Sequence, residues 1–360
     1  MTVAARAVLS TSNLVQPDRA AVMRHARDAY AGAPVVQGLE ARLAAFHGAA
    51  HCVALCNGFW ALALAMRALA APGRPDVVMP SLTYRRMADV AAWAGLRPRF
   101  CEVDPATLAC SAATMRAALA PGVGLLLAVH PIVNTCDVPG LVALAQETGL
   151  PLLFDSVESA FEAVAAGKVG SFGAAECFSL HASKLLNGYE GGYVTTQDPA
   201  LAAHLAALRD GTAEDGLDLR LNRFHAAMAL AGLDDVQAQV RRNQARYALY
   251  RTLLADLPRL RLVPFDDRHA CSFKNILLEL LPAWPMGRGA TLARLNAQGI
   301  LARAYYDPPL HRKTMAYPHI PAHLPATDAL AARFMLLPCG HHVADADIRA
   351  VVQALAELAA

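Results

Sequence analysis

The stretch Phe178-Ser179-Leu180-His181-Ala182-Ser183-Lys184, followed by Glu190-Gly191-Gly192, is the most informative part of this chain. Residues 176–180 are predicted to form a strand, so the lysine follows shortly after a strand end. Upstream, Asp155 ends a second apolar run, Leu150-Pro151-Leu152-Leu153-Phe154. In an α/β sheet, a lysine and an aspartate at the ends of two strands indicate a ligand site at that edge.

These two side chains have the chemistry that pyridoxal 5'-phosphate (PLP) requires. The amine of Lys184 can form a Schiff base with the aldehyde of the cofactor. The carboxylate of Asp155 can keep the pyridine nitrogen protonated, which lets the ring accept electrons. We therefore predict a PLP enzyme in which Lys184 and Asp155 are the catalytic residues.

The surrounding sequence favours an α/β fold. Between about residues 40 and 235, apolar strand-like runs alternate with alanine-rich helical patterns. This alternation predicts a largely parallel sheet that is covered on both faces. The candidate strands are 52–55, 77–80, 99–103, 125–129, 152–155, 176–180 and 192–196. The helical patterns between them are 60–70, 87–94, 112–119 and 141–147.

The pattern changes in the last third of the chain. Residues 226–254 are predicted to form one long helix, and the sequence beyond it has the mixed strand and helix patterns of a smaller α+β domain. We therefore divide the chain into two parts. Residues 1–240 form an N-terminal segment and a large cofactor-binding domain, and residues 241–360 form a small C-terminal domain.

The composition argues against membrane and nucleic-acid proteins. The chain is 55% hydrophobic, but none of its apolar runs approaches the roughly 20 residues that a membrane span needs. The formal net charge is only +2, and no basic run with interleaved aromatic residues occurs, so nucleic-acid binding is not expected. The N-terminus also lacks the apolar core of a signal peptide.

Neither the cysteines nor the histidines suggest a disulfide framework or a metal site. The eight cysteines form no CxxC pair and lie mostly in apolar contexts, which favours reduced, buried thiols in a cytoplasmic protein. His341-His342 lack the i, i+4 spacing and the carboxylate of a helical zinc motif, so no metal is predicted.

Two further segments lie where a flat phosphorylated cofactor could bind. Asn57-Gly58 follows a candidate strand and precedes a helix, whose free N–H groups and dipole favour a phosphate. Tyr84 also follows a strand end, where its ring could stack on the cofactor. Taken alone, the first is a common turn and the second an ordinary half-buried tyrosine.

Four motifs occur together: Asn57-Gly58-Phe59-Trp60-Ala61-Leu62, Met79-Pro80-Ser81-Leu82-Thr83-Tyr84, residues 178–184, and Tyr305-Tyr306-Asp307-Pro308-Pro309-Leu310-His311. They resemble the Gly-Thr-x-Ala-Leu, Pro-Ser-x-Thr-aromatic, Phe-Ser-Phe-His-x-x-Lys and Tyr-Tyr-x-Pro-Leu-His motifs of the DegT/DnrJ/EryC1/StrS family of PLP-dependent sugar aminotransferases. The resemblance implies the aspartate aminotransferase fold (PLP fold type I). We therefore expect a large domain with a mostly parallel seven-stranded sheet and a smaller C-terminal α+β domain.

The resemblance implies roles for individual residues. Lys184 would carry the cofactor and move the substrate proton, Asp155 would pair with the pyridinium, and Tyr84 would cover the ring. The residues implied to bind the cofactor are Asn57, Gly58, Phe59, Tyr84, Asp155, Glu158, Ser179 and Lys184. The residues implied to lie near the substrate are His311, Tyr306, Asp218 and Arg220.

The chain departs from the family pattern at several of these positions. Phe59 stands where the family has the threonine of the phosphate turn, and Asp218 where it has an asparagine that reaches the partner subunit's phosphate. The loop at 210–215 is shorter than usual. Glu158 replaces a Gln or His near the ring hydroxyl of the cofactor. Because a carboxylate would repel a phenolate oxygen there, Glu158 should be protonated, turned away, or a means of changing the charge of the Schiff base.

The resemblance implies an aminotransferase acting on a keto sugar, cyclitol or related ketone in specialised metabolite biosynthesis. The expected donor is glutamate or glutamine, and the expected assembly is a cytoplasmic homodimer with shared active sites. The altered positions motivate an alternative, a PLP enzyme that performs elimination, replacement, cyclisation or carbon–carbon bond formation on an amino-acid-like substrate. A non-catalytic binding protein is a third hypothesis, but the retention of Lys184 and Asp155 speaks against it.

Overall fold

The computed structural model describes residues 9–10 and 14–359. Its strands are β1 (Leu9–Ser10), β2 (His51–Leu55), β3 (Asp76–Pro80), β4 (Arg97–Cys101), β5 (Val123–Val129), β6 (Leu152–Asp155), β7 (Ala163–Val164), β8 (Gly167–Lys168), β9 (Ala175–Ser179), β10 (Gly192–Thr196), β11 (Leu260–Leu262), β12 (Ile276–Leu280), β13 (Ile300–Leu301), β14 (Arg303–Ala304) and β15 (Phe334–Leu337). Its α-helices are α1 (Arg19–Tyr30), α2 (Val35–His47), α3 (Gly58–Leu69), α4 (Met87–Trp93), α5 (Ala112–Arg116), α6 (Val138–Thr148), α7 (Pro199–Arg209), α8 (Arg223–Leu254), α9 (Arg288–Ala297), α10 (Pro325–Ala331) and α11 (Asp345–Ala359).

The large sheet has seven strands in the order β2-β10-β9-β6-β5-β3-β4. Strand β10 runs antiparallel to both of its neighbours, and the remaining pairs are parallel. All residues of β5 and β6 are buried, as expected for central strands that are covered by helices on both faces. The predicted mostly parallel seven-stranded sheet is confirmed.

Strand β4 begins two residues earlier than the apolar pattern predicts. Asp76 at the start of β3 lies opposite Arg97, and its carboxylate accepts hydrogen bonds from Arg97 and Arg99. Asp76 is almost fully buried, so the two guanidinium groups neutralise a charge that would otherwise be costly to bury. The ion pairs thus allow polar residues to form the start of β4, which an apolar pattern in the sequence does not reveal.

A smaller antiparallel sheet follows, in the order β11-β12-β15-β14. It packs with α8 and α11 around a second core that contains Tyr250, Leu278 and Met335. Helix α8 is continuous from Arg223 to Leu254, so the predicted boundary between residues 240 and 241 falls inside it and stays a prediction. In the described part of the chain, no helix has the length and apolarity needed to cross a bilayer.

This architecture brings separate parts of the chain to one edge of the large sheet. Asp155 closes β6, Ser179 closes β9, and β2 ends just before Asn57. Two segments that border the smaller sheet also face this edge. One of them lies just before β12, and the other follows β14. The edge is therefore the place where the two sheets contribute side chains to one site.

Candidate active site

The first element of the site is the turn between β2 and α3. Asn57 is the N-cap of α3, and its side-chain oxygen accepts a hydrogen bond from the N–H of Trp60 at 2.9 Å. The first N–H groups of an α-helix lack acceptors within the helix, so those of Gly58 and Phe59 suit an external anion. Ser179 closes the other side, because a Cβ built on Gly58 would lie 3.0 Å from the Cβ of Ser179.

Gly192 explains how the turn reaches Ser179. Strand β10 lies between β2 and β9, and Gly192 is paired with Leu55 on one side and Ser179 on the other. The backbone of Asn57 and Gly58 crosses over Gly192, where an added Cβ would come within 2.6 Å of the carbonyl of Asn57 and the amide nitrogen of Gly58. The missing side chain of Gly192 is therefore what allows the helix N-terminus and the serine to converge.

Asp155 is the buried acid of the site. Its side chain is 2% exposed, and one carboxylate oxygen accepts a hydrogen bond from the N–H of Val157 at 3.1 Å. Burial raises the pKa of Asp155 to about 7, while the Val157 hydrogen bond and the charge of Lys184 act in the opposite direction. Among the described residues it forms no salt bridge, so it can accept a cationic N–H from a ligand.

Lys184 and Lys274 share one carboxylate. Lys184 lies in the turn after β9 and donates a hydrogen bond to Oε1 of Glu158. Lys274 lies just before β12 and donates to Oε2 of the same residue at 2.5 Å. Lys184 and Glu158 are predicted from the sequence, and Lys274 is not. One available signal is its place just before the apolar run that begins at Ile276, in a chain with only four lysines.

The two lysines decide the charge of Glu158. Burial by itself would raise the pKa of this carboxyl, but the nearby charges and hydrogen bonds of Lys184 and Lys274 outweigh burial and lower it to about 2. Of the states expected for Glu158, this arrangement favours an ionised carboxylate whose charge is neutralised by its neighbours. The carboxylate of Glu158 is directed toward Lys184 and not away from the site.

Tyr306 lies close to the same cluster. Burial raises the pKa of its phenol far above the usual value, and the charges of Tyr305, Glu158, Asp155 and Tyr84 act in the same direction. Its ring contacts that of Tyr305, with the centroids 4.4 Å apart. Tyr84, in the loop after β3, is partly exposed and is available to cover a ligand.

Phe59 occupies the turn position where the family motif has a threonine. Its ring packs edge-on against Trp60, and the guanidinium of Arg86 lies 4.7 Å from its centroid. A cation over an aromatic ring is a favourable contact. The phenyl side chain therefore replaces a hydroxyl contact with an aromatic surface that holds an arginine beside the helix N-terminus.

His311 has a buried position within the fold. Its Nδ1 lies 2.7 Å from the hydroxyl of Ser81, and its Nε2 lies 3.1 Å from a carboxylate oxygen of Asp328. Serine, histidine and aspartate in this order resemble a hydrolytic triad, but Ser81 is fully buried and also accepts a hydrogen bond from the backbone N–H of His311. The arrangement joins the residue after β3 to the segment that contains His311 and to α10.

Asp218 and Arg220 lie on the surface near the end of β2. They form a paired hydrogen bond to each other at 2.9 Å, and both side chains are about two-thirds or more exposed. Arg220 also forms an isolated antiparallel bridge with Leu55, two residues before Asn57. The carboxylate of Asp218 alone would repel a phosphate. Within this chain, the positive charge of Arg220 neutralises that carboxylate.

The sequence profile of the DegT/DnrJ/EryC1/StrS aminotransferase family matches residues 18–356. The chain belongs to this family. It is 31% identical over 312 residues to a UDP-N-acetyl-3-dehydro-alpha-D-glucosamine 3-aminotransferase of Acidithiobacillus ferrooxidans, covering 84% of this chain and 82% of that protein. It is 28% identical over 330 residues to a GDP-perosamine synthase of Caulobacter vibrioides, covering 88% of each.

The fold also matches solved structures of the family. The crystal structure of DesI in the presence of its TDP-sugar product superposes with a TM-score of 0.91 at 33% identity, covering 99% of this chain and 94% of that one. Like other members of the DegT/DnrJ/EryC1/StrS family, the protein is a PLP-dependent aminotransferase of the α/β class. The predicted family, fold, enzyme class and cofactor are confirmed.

The residues present fit this cofactor. The helix N-terminus and Ser179, brought together over Gly192, form a cradle for a phosphate. The buried Asp155, with a pKa raised to about 7, suits a partner that brings its own positive N–H. Lys184 lies near enough for its charge to influence Asp155, and it would supply the amine.

Replacing Gly192 by alanine tests the cradle. The added methyl group would overlap the backbone of Asn57 and Gly58, so we expect the free energy of unfolding to fall by about 1–3 kcal/mol. We also expect weaker PLP binding, because the helix N-terminus must move away from Ser179. Denaturant unfolding and a PLP titration measure the two effects.

Gly38→Ala is the matched control for this substitution. Gly38 lies in α2 with open space around it, so the same added methyl group should preserve PLP affinity and should leave stability unchanged or raise it by up to about 1 kcal/mol. If the Gly192→Ala protein has unchanged stability and PLP affinity, the backbone of Asn57 and Gly58 does not pass closely over Gly192.

Proposed function

We propose that this protein transfers the amino group of glutamate or glutamine to the ketone of a sugar that is linked to a nucleoside diphosphate. The acceptor class is supported by the relatives, whose names include a UDP-linked sugar, GDP-perosamine and a TDP-sugar product. The order of the strands supports the chemistry. Strands β6 and β9 are neighbours, so Asp155 and the turn that carries Lys184 meet at the same edge of the sheet.

The convergence of Lys184, Asp155 and the phosphate cradle is the observation that carries this proposal. PLP supplies an aldehyde that receives the amino group and a ring that accepts the electrons of the substrate carbon. Lys184 would hold the cofactor through its Nζ, and the same nitrogen would act as the general base that takes the α-proton of the donor. In the second half of the reaction, the same nitrogen returns a proton to the substrate.

Asp155 and the cradle orient the cofactor during both halves. Asp155 provides the negative charge that keeps the pyridine nitrogen protonated. The first-turn N–H groups of α3 and the hydroxyl of Ser179 bind the phosphate. Tyr84 and Tyr306 exclude water from the reacting face, which strengthens the electrostatic contacts inside the site.

The homodimer stays a prediction. Trp93, Tyr189, Leu217 and Phe224 are large apolar side chains that a single chain leaves exposed. Two of them, Leu217 and Phe224, flank the Asp218–Arg220 pair near the phosphate cradle. A second copy of the chain would remove this apolar surface from water.

An assay of the first half-reaction tests the proposed function. Purified protein loaded with PLP is mixed with glutamate, glutamine or alanine singly, without an acceptor, and the released keto acid is quantified. We expect about one equivalent of keto acid per cofactor from glutamate or glutamine. Addition of nucleotide-linked keto sugars should then allow repeated turnover and yield an amino sugar.

The assay also separates the alternative chemistry from transamination. An enzyme that eliminates, replaces, cyclises or forms carbon–carbon bonds would convert an amino-acid-like substrate without leaving the amino group on the cofactor. Release of no keto acid from any of the donors would therefore sink the transaminase proposal and favour that alternative.

A further inference from the structure

Lys274 connects the smaller sheet to the catalytic lysine through Glu158. Its ammonium group lies 2.5 Å from Oε2 of Glu158, and its side chain is only 3% exposed. The other oxygen of Glu158 binds Lys184, and the side chain of Glu158 is 14% exposed. Two of the four lysines of the chain therefore meet at one buried carboxylate.

Attachment of PLP changes the charge balance of this cluster. To react with an aldehyde, the Lys184 ammonium must release a proton to solvent and leave its ion pair with Glu158. The neutral amine then forms a C=N bond, and the aldehyde oxygen departs as water. If Lys184 were its only cationic partner, Glu158 would become a buried and unpaired carboxylate, which is strongly unfavourable.

We propose that Lys274 is a positioning residue for cofactor attachment, which neutralises Glu158 and holds it in place so that Lys184 can leave the ion pair and react. This inference rests on the proposed role of Lys184 as the residue that carries PLP. It explains how a glutamate can stand where a neutral side chain is usual in the family motif. The negative charge of Glu158 always has a cationic partner, whether or not Lys184 is bonded to the cofactor.

The groups around Glu158 determine how this should depend on pH. Lys184, Lys274 and Asp155 come from the turn after β9, the segment before β12 and the end of β6. Tyr305, Tyr306 and Cys339, in the segments after β14 and β15, lie close enough for the charge of Glu158 to raise their pKa values. Among the described groups that interact with Glu158, the cations are the two lysines, so removal of Lys274 leaves the PLP-bound state with an anionic cluster.

The test is the affinity of the cofactor-free protein for PLP, measured by absorbance titration from pH 6 to pH 8.5. In Lys274→Met, PLP binding should require uptake of a proton by Glu158. We expect the dissociation constant at pH 8.5 to rise at least about tenfold relative to the unsubstituted protein. The ratio of the dissociation constant of Lys274→Met to that of the unsubstituted protein should decrease as the pH falls, by up to about tenfold per pH unit.

Two further variants separate charge compensation from a structural role. Lys274→Arg keeps the cation and should bind PLP nearly as the unsubstituted protein does. The double variant Lys274→Met/Glu158→Gln removes the carboxylate that needs a partner, so both the affinity and its pH dependence should return to within about threefold. Thermal unfolding of each cofactor-free variant shows that it is folded.

Each remaining outcome is decisive. Unchanged PLP affinity of Lys274→Met across the pH range overturns the inference, as does a loss that the added Glu158→Gln does not restore. If Lys274→Met does not fold, a folded double variant with restored affinity supports the inference, and an unfolded one gives Lys274 a structural role only and overturns it.

Borohydride reduction followed by peptide mass analysis distinguishes failure of the inference from failure of the proposed function. If PLP does not attach to Lys184 in the unsubstituted protein, the proposed role of Lys184 is wrong. If it does attach there and Lys274→Met behaves identically, only the inference about Lys274 fails.

Discussion

The Lys184→Ala protein is expected to lose aminotransferase activity by at least about 10³-fold and to hold PLP without a covalent bond. Lys184 follows β9 and lies beside Asp155 and Glu158, and in the proposed reaction its loss would remove both the attachment point of the cofactor and the general base. Borohydride reduction of the PLP-loaded protein should label the original chain at one peptide and leave the variant unlabelled. The keto-acid assay measures the activity.

Lys168→Ala is the control for this experiment. Lys168 donates a hydrogen bond to the carbonyl of Phe46 and lies over the ring of that residue. Its contacts are therefore different from those of Lys184. Its variant should retain the label at Lys184. A Lys184→Ala protein that still forms the covalent adduct, or that keeps the original rate, would mean that another amine carries the cofactor.

Asp155→Asn is expected to make the enzyme at least about 100-fold slower while making the cofactor-free protein more stable at neutral to alkaline pH. An amide cannot keep the pyridine nitrogen protonated, so electrons of the substrate carbon are less well accepted. The amide also carries no charge that must be buried. The substitution therefore separates what the site needs for catalysis from what the fold needs for stability.

The sign of the stability change follows from the pKa of Asp155. The pKa is about 7 in the folded protein and 3.8 in the reference state, so the folded state binds the proton more tightly. The contribution of Asp155 to stability is then most favourable below pH 3.8 and falls as the pH rises toward 7. Above pH 7 the ionised carboxylate costs at most about 4 kcal/mol, which the asparagine variant avoids.

Thermal unfolding of the cofactor-free protein at pH 4, 6 and 8 measures this effect. The melting temperature of Asp155→Asn should exceed that of the original protein increasingly from pH 4 to pH 8. Glu176 also has a pKa that burial raises to about 7, but it is present in both proteins and does not affect the difference. A variant that is equally or less stable at pH 8 would contradict the assignment of Asp155 as a buried, destabilising acid.

The sequence was sufficient for the large sheet and for the residues that local patterns place at strand ends. Asp155 and Ser179 each close a strand, and the apolar runs before them are unambiguous. The turn at Asn57-Gly58 was also predictable, because the helix cap is encoded in consecutive residues. These features depend on short-range sequence and on the common rule that ligands gather at the carboxyl edge of parallel strands.

The contact of Glu158 with Lys274 could not be predicted in this way. Glu158 follows β6 of the large sheet, and Lys274 precedes β12 of the smaller sheet. The sequence around either residue carries no signal that the other will be its partner. The pKa of Glu158 depends on that long-range contact, so the sequence left its protonation state open. The buried position of the His311 ring could not be predicted either, because the motif identifies the residue but does not give the direction of its side chain.

The pairing of Glu158 with Lys274 also restricts the evolutionary routes that lead to this sequence. Starting from a neutral residue at position 158, a change to glutamate without a cation at position 274 would bury an uncompensated charge. We therefore expect lysine to have appeared at position 274 before glutamate at position 158 or together with it, unless a third residue supplied the missing positive charge.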